Sequence, residues 1–370
     1  MFSIGAQYYS HIYIWLIVVL SIFVIGRYGR YSQNHIDKGQ NKFSVGVLFL
    51  GLFLTLFIGL RPVSGQYFVD MAAYNRSYLI IFGEHFDFDW NTNNKLFDNL
   101  FSFFASRKFP PQSFFLFLAA LYFLGIAWAC AKLFLKDKMA AFLVYLGAFS
   151  TYSYGVNGLK AGVAAAFFLM ALALYKNKKV FWTVVFLLLS IGFHHSMLLP
   201  IIAFVICILI KNPKFFTALW LLCFVLSALH VSYFQNFFSG FGSLDEKLVE
   251  YLGEDNEGYI RSDIFGGFRI DFILYSFVPI LVGWIAVYKK KIQSNTYRFL
   301  LNLYTFINAI WLLCMYASYT NRIAYLSWLM YPIVLIYPFL NERWDANQYK
   351  TFKWVAYGHL AFTLFMQYIY

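Results

Sequence analysis

Long apolar runs separated by short polar stretches recur along the whole chain. The segment Tyr154–Tyr175 is typical, because after Leu159 it is apolar or small except at Lys160 and at the final tyrosine. A run of about 20 such residues can cross a bilayer as an α-helix. The pattern predicts an all-α polytopic integral membrane protein with about twelve transmembrane helices. The predicted spans are residues 8–26, 43–60, 112–134, 139–156, 158–175, 179–193, 196–211, 214–233, 270–288, 297–315, 321–340 and 351–369.

Two of these spans, residues 179–193 and 196–211, are short and meet at the sequence GFHHSMLLP. They fit either two separate spans or a broken helix pair that Pro200 helps to bend.

Composition excludes a soluble protein. The 370 residues are 61% hydrophobic and 12% charged, whereas soluble domains contain about 25% charged residues. We therefore expect one transmembrane domain over residues 1–370. The net charge of +12 would suggest a nucleic-acid partner in a soluble protein, but its distribution here favours a membrane.

The basic residues fix the predicted orientation. Most of the 29 Lys and Arg residues lie in one set of alternating loops, which the positive-inside rule places in the cytoplasm, with both termini outside. The outer side then carries two longer extracytoplasmic segments, residues 61–111 and 234–269. Both are rich in aromatic residues, Asn and Asp, which suits binding of sugars but also occurs in ordinary interfacial belts.

In this orientation, five separate elements bring ionisable residues to the outer face. Charged residues at membrane depth are tolerated mainly where they line a polar cavity, so we expect one there. The residues are Arg61, Asp70, Lys160, His194, His195, Arg269, Asp271 and Arg322.

Simpler explanations are open for several of them. The arginines could be interface anchors whose charged ends reach water, and Asp271 could only favour the start of its helix. Asn157 is a plausible N-cap of the helix that carries Lys160. The free N–H groups of that helix start would also suit an anion.

A surplus of Arg and Lys in an outward-facing cavity suits phosphate or pyrophosphate. An outer site without a Walker loop or a cytoplasmic domain cannot use ATP or soluble nucleotide-sugars. A lipid-linked phosphate donor is therefore expected.

The chain resembles the EpsG-like family of Wzy-type bacterial polysaccharide polymerases, which make O-antigen, capsule or exopolysaccharide. The residues that carry the resemblance are Arg61 and Asp70, a basic residue at the start of a small-residue helix, and the sequences FHHSMLLP and NRIAY. Where the family usually has Arg-Gln, this chain has Lys160-Ala161, which keeps the positive charge and loses the amide. The resemblance implies a GT-C-like glycosyltransferase that joins undecaprenyl-pyrophosphate-linked repeat units at the outer face of the bacterial inner (cytoplasmic) membrane.

This reaction assigns roles to the candidate residues. Arg61, Lys160, Arg322 and Arg269 would bind the pyrophosphate, and His195 or Asp70 would deprotonate the acceptor hydroxyl. Tyr74, His194, Asp271 and Asn157 are candidate substrate contacts. Alanine at Arg61, Lys160 or Arg322 should abolish chain extension without preventing folding.

The expected partners are a polyprenyl-pyrophosphate-linked donor and acceptor and membrane lipids, with no nucleic acid. A chain-length regulator is a further candidate partner. No metal or other cofactor is expected, although the acidic loop at residues 245–263 could hold Ca²⁺ or Mg²⁺.

Three other functions compete. An O-antigen-type ligase would use the same donor with a different acceptor. A transporter or flippase of such lipids would need a path to the cytoplasmic side, which the one-sided charges do not provide. A membrane O-acyltransferase could use His195 as its base but has no need for four cations.

Overall fold

A computed structural model of the chain describes residues 4–30, 45–134, 137–229, 268–316 and 320–369. All regular secondary structure in these ranges is helical. The chain divides into two compact units, residues 1–195 with 339–370 and residues 196–338. The second predicted outer segment and its acidic loop lie almost entirely outside the described residues.

The first unit contains the nine α-helices of the amino-terminal half that the structure describes. They are α1 (Tyr9–Ile25), α2 (Val45–Gly59), α3 (Val69–Ile80), α4 (Lys95–Ser106), α5 (Pro111–Leu133), α6 (Lys138–Leu146), α7 (Thr151–Val156), α8 (Leu159–Lys176) and α9 (Val180–Phe193).

The second unit begins after the His194–His195 turn. Its helices are α10 (Leu198–Leu209), α11 (Pro213–Ala228), α12 (Ile270–Trp284), α13 (Asn295–Leu313), α14 (Thr320–Trp328) and α15 (Tyr331–Asn341). The last residues of α15 and the final helix, α16 (Gln348–Ile369), belong to the first unit.

Close helix packing builds the core of the first unit. Helix α5 packs against α2 and α8, and α8 packs against α9. Small residues allow the approach: a Cβ atom on Gly59 would lie 2.8 Å from Cα of Leu116, and one on Gly125 would lie 3.1 Å from Cβ of Ala166. Helices in membranes usually pack through such small residues, because the hydrophobic effect gives them no net attraction within lipid.

Most predicted span boundaries agree with the helices to within a few residues, but two spans are broken. Residues 139–156 form α6 and α7 with a turn between them, where a Cβ on Gly147 would clash with a Leu360 methyl group. The Thr151 hydroxyl donates to the carbonyl of Tyr145 at 2.8 Å across this break. Residues 321–340 likewise divide into α14 and α15 at a turn before Pro332.

The first predicted outer segment is more regular than a loop. Residues 61–111 contain the helices α3 and α4, which pack against each other and against α5. On one face of α4, apolar side chains recur at helical spacing (Phe97, Phe101 and Phe104), and they pack on Phe114 of α5. The segment therefore consists largely of two packed helices, and its outer location stays a prediction.

The described helices support a multi-pass membrane protein. Five helical stretches are long and apolar enough to cross a membrane: Ala6–Arg30, Pro111–Leu133, Leu159–Lys176, Ile270–Lys289 and Thr320–Asn341. Shorter apolar helices in the described residues are Val45–Gly59, Val180–Phe193, His195–Leu209 and Pro213–Ala228. The total of twelve spans remains a prediction.

Candidate functional site

Lys160 stands in the first turn of α8 and has a carboxylate partner from the outer segment. Its ammonium nitrogen lies 3.1 Å from Oδ1 of Asp98 on α4, with 13% of the lysine side chain and 33% of the aspartate side chain exposed. The hydroxyl of Thr92 donates to the other oxygen, Oδ2, of Asp98 at 2.6 Å. The charge at the start of α8 is therefore paired, but by a residue that water still reaches.

Two aromatic rings flank the same ammonium. The nitrogen of Lys160 lies 4.8 Å from the ring centre of Phe97 and 5.6 Å from that of Tyr74. A cation over an aromatic face is attracted by the ring quadrupole, more strongly where water is partly excluded. Tyr74 and Asp70 both belong to α3, four residues apart.

The histidine pair meets the start of α4 as well. Asn94, immediately before α4 and 5% exposed, accepts the backbone N–H of His195 through Oδ1 at 3.1 Å. The same oxygen lies 3.2 Å from Nδ1 of His194. The two imidazole rings are 5.9 Å apart and nearly perpendicular. Asp98 in the first turn of α4 thus contacts Lys160, and Asn94 just before α4 contacts the histidine turn.

Arg61 occupies a different environment. It is 1% exposed, and its guanidinium donates to the carbonyls of Ile58 and Val156, each at 2.6 Å. It also lies 5.1 Å from the ring centre of Phe68. Burial lowers the pKa of Arg61 to about 10, and the nearby Tyr152, Tyr9 and Asp70 oppose this shift. The residue stays charged at neutral pH.

These contacts bear on two expectations for Arg61. The guanidinium does not reach water as an interface anchor would, and its bonds to the carbonyls of Ile58 and Val156 join the ends of α2 and α7. Replacement by alanine would leave both carbonyls without this donor, so we expect the variant to be less stable than the unchanged protein. A pyrophosphate role for Arg61 stays a prediction.

Asn157 is not the N-cap of α8, contrary to expectation. Gly158 occupies that position, and no side chain caps the helix start. Asn157 instead lies at the carboxyl end of α7, two residues before α8 begins. Among the described residues, its Oδ1 atom is buried without a hydrogen-bond partner.

The remaining candidates lie in the second unit. Arg269 and Asp271 form a bidentate pair at the start of α12, with N–O distances of 3.0 and 2.8 Å, and the guanidinium lies 3.8 Å from the ring centre of Phe272. Arg322 is half-buried near the start of α14, and its backbone N–H donates to the side chain of Asn321 at 3.0 Å. Whether these residues share a site with Lys160 stays a prediction.

The structure therefore brings four predicted residues to α4, namely Tyr74, Lys160, His194 and His195. Sequence reasoning missed the residues of the outer segment that hold them, Thr92, Asn94 and Asp98. The sequence NNKLFDNLFSFF could have indicated this helix, because its apolar residues recur at helical spacing. An Asn stands before them and Asp98 falls in the first turn, which is typical of a helix start.

Comparison with known proteins identifies a family for this chain. The family model described as the EpsG family matches residues 44–370, which is most of the chain. No curated protein and no solved structure matches the chain. The match includes α4, the start of α8 and the histidine turn, so this chain, as its sequence motifs predicted, belongs to the EpsG family.

Proposed function

We propose that this protein is a polysaccharide polymerase. It transfers a growing glycan from its polyprenyl-pyrophosphate carrier to the terminal sugar of another lipid-linked repeat unit, at the outer face of the bacterial inner membrane. The family, which suggests polysaccharide biosynthesis, supports the reaction class. In this proposal all twelve predicted spans cross the membrane in a GT-C-like arrangement.

The observation that carries the proposal is the environment of Lys160. Its ammonium is half-enclosed by aromatic rings at the start of α8, where no side chain caps the free backbone N–H groups. An uncapped helix start with an adjacent cation is a favourable position for a phosphate group. The carboxylate of Asp98 is paired with this cation, and a diphosphate would compete with it for the same charge.

The chemistry follows from this placement. As the anomeric C–O bond breaks, negative charge develops on the pyrophosphate, and a preorganised cation stabilises it. The acceptor hydroxyl must lose its proton as its oxygen bonds to the anomeric carbon. His195 is the favoured base, because it lies in the turn that Asn94 fixes to the same helix, and Asp70 is the alternative.

In this proposal, Arg61 supports the site from the core and Tyr74 contacts the substrate. Arg269, Asp271 and Arg322 of the second unit remain candidate substrate contacts. His194 and Asn157 of the first unit are candidate substrate contacts as well. Pyrophosphate neutralised by Lys and Arg needs no divalent metal, so a metal-independent reaction is proposed.

The test is elongation by purified protein in nanodiscs, supplied with lipid-pyrophosphate repeat units prepared from the host strain. A ladder of products with increasing numbers of repeat units is expected. A single transfer to a lipid-A core acceptor would instead identify a ligase, and movement of the lipid across the bilayer without a new bond would identify a transporter.

A further inference from the structure

The outer segment presents an aromatic surface that the reaction described above does not use. Trp90 is 71% exposed and Phe88 is 43% exposed, with their ring centres 4.6 Å apart. They stand on the stretch before α4, which we call the aromatic loop (residues 86–92). Large apolar side chains this exposed, next to a cavity, are typical of a binding surface.

An open cavity of about 300 Å³ lies beside Phe88. Phe86 and Phe88 of the aromatic loop line one part of it, and side chains of α4 line the rest. The lining residues on α4 are Leu96, Asn99, Leu100 and Phe103.

The aromatic loop is held in place by a polar clamp. Asn99, 5% exposed, accepts the backbone N–H of Asp89 at 2.7 Å and donates to its carbonyl at 2.9 Å. The carboxylate of Asp89 accepts the backbone N–H of Asn91 at 2.8 Å. At the end of the loop, Thr92 is bonded to Asp98. A surface preorganised in this way loses little conformational entropy when it binds a ligand.

The charges around the rings argue against a bilayer as the occupant. Asp87 and Asp89 flank Phe88 in the chain, Glu84 precedes the aromatic loop, all three acids are exposed, and residues 84–92 contain no Lys or Arg. Anionic headgroups attract basic segments, whereas this stretch would repel them. Aromatic faces beside carboxylate and amide groups instead complement a sugar, which has apolar C–H faces and a ring of hydroxyl donors.

We infer that the aromatic loop is a glycan-binding subsite that holds the saccharide during transfer. The inference rests on the proposed function. Asp98 and Asn99 are consecutive on α4, so their side chains leave the helix about 100° apart. One side chain faces Lys160 and the other faces the aromatic loop. A glycan linked to a pyrophosphate at Lys160 would therefore pass across α4 onto the Phe88–Trp90 pair.

The test uses the full-length protein in nanodiscs. The probe is the water-soluble oligosaccharide that mild acid releases from the lipid-linked intermediates of a strain lacking this gene. Trp90→Ala is expected to weaken oligosaccharide binding at least tenfold and to shorten the product ladder. Trp90→Phe should retain binding within about threefold, because it keeps an aromatic face.

Phe82→Ala is the matched control, since Phe82 is 41% exposed on the same segment but its ring contacts Tyr78 rather than the Phe88–Trp90 pair. It should bind and elongate like the unchanged protein. Unchanged oligosaccharide binding by Trp90→Ala would overturn the inference. So would quenching of Trp90 fluorescence by brominated lipids, which would make the aromatic loop a membrane contact.

The two proposals can fail separately. Elongation by the unchanged protein together with undiminished binding by Trp90→Ala removes only the subsite. Oligosaccharide binding that depends on Trp90, without elongation by the unchanged protein, keeps the subsite and removes the polymerase.

Discussion

Lys160 illustrates how a single charge is accommodated at the edge of an apolar helix. The sequence predicted a polar surrounding for this charge, and the structure supplies Asp98 and two aromatic rings. The need for a partner follows from desolvation of the charge. The identity of that partner could not be predicted, because Asp98 is distant in sequence and its position depends on how α4 packs.

The Lys160–Asp98 pair gives a prediction with a definite sign. If Asp98 competes with the diphosphate for Lys160, then Asp98→Asn should lower KM for the lipid-linked donor. An ion pair that water still reaches contributes about 1 kcal/mol, so a decrease of roughly fivefold is expected. Steady-state kinetics in nanodiscs measure it, with Asn93→Asp as an exposed control. An increase in KM would show that Asp98 positions Lys160 instead.

Arg61 gives a prediction about stability rather than catalysis. Arg61→Ala removes the donor for two buried carbonyls, those of Ile58 and Val156, which should cost about 2–5 kcal/mol. Thermal unfolding in detergent should show a large decrease in Tm and a low yield of folded protein. Arg76→Ala, at an exposed position of α3, should unfold like the unchanged protein.

A normal Tm for Arg61→Ala with loss of elongation would contradict this account. It would restore the first interpretation of Arg61, that of a residue which binds pyrophosphate.

At the scale of elements, hydrophobic length predicts where the apolar helices begin and end, but not where they break. At the turn at Gly147 the backbone passes close to Leu360 in α16, which is far along the chain. The helices α3 and α4 were missed for a different reason. Their apolar residues pack on α5 rather than form a run long enough for a membrane span, so a search for spans overlooks them.

Helix α8 ends in an unusual backbone conformation that permits a test. Lys178 has φ of 57° just after the end of α8, a left-handed conformation that costs a non-glycine residue about 1 kcal/mol. Lys178→Gly should therefore raise Tm by a few degrees or leave it unchanged. The neighbouring Lys179→Gly should lower it, because Lys179 has φ of −91° and gains nothing from glycine. Thermal unfolding of both variants makes the comparison, and a lower Tm for Lys178→Gly alone would contradict it.

At the scale of the whole molecule, the orientation predicted from basic loops places the aromatic loop outside and the turn after α8 in the cytoplasm. The native cysteines described in the structure are all buried, so an introduced cysteine can be labelled selectively. Asn91→Cys should react with a membrane-impermeant maleimide in intact spheroplasts. Lys178→Cys should react only after permeabilisation. The reverse pattern would invert the topology and remove the outer active site.

The family, the helical class and most helix boundaries could be predicted from the sequence. The helices could be predicted because the length of an apolar run is a local property of the chain. It also indicated Lys160, Tyr74 and the histidine turn as parts of one site. It could not reveal that α4 joins them, since that depends on the polar contacts of Asn94 and Asp98 across elements.

Elongation of lipid-linked repeat units by variants at Lys160 tests the central claim most directly. The unchanged protein and Lys160→Arg should produce a ladder, because both keep a cation at the start of α8. Lys160→Met should produce none while melting at nearly the same temperature. A full ladder from folded Lys160→Met would show that no diphosphate depends on this charge.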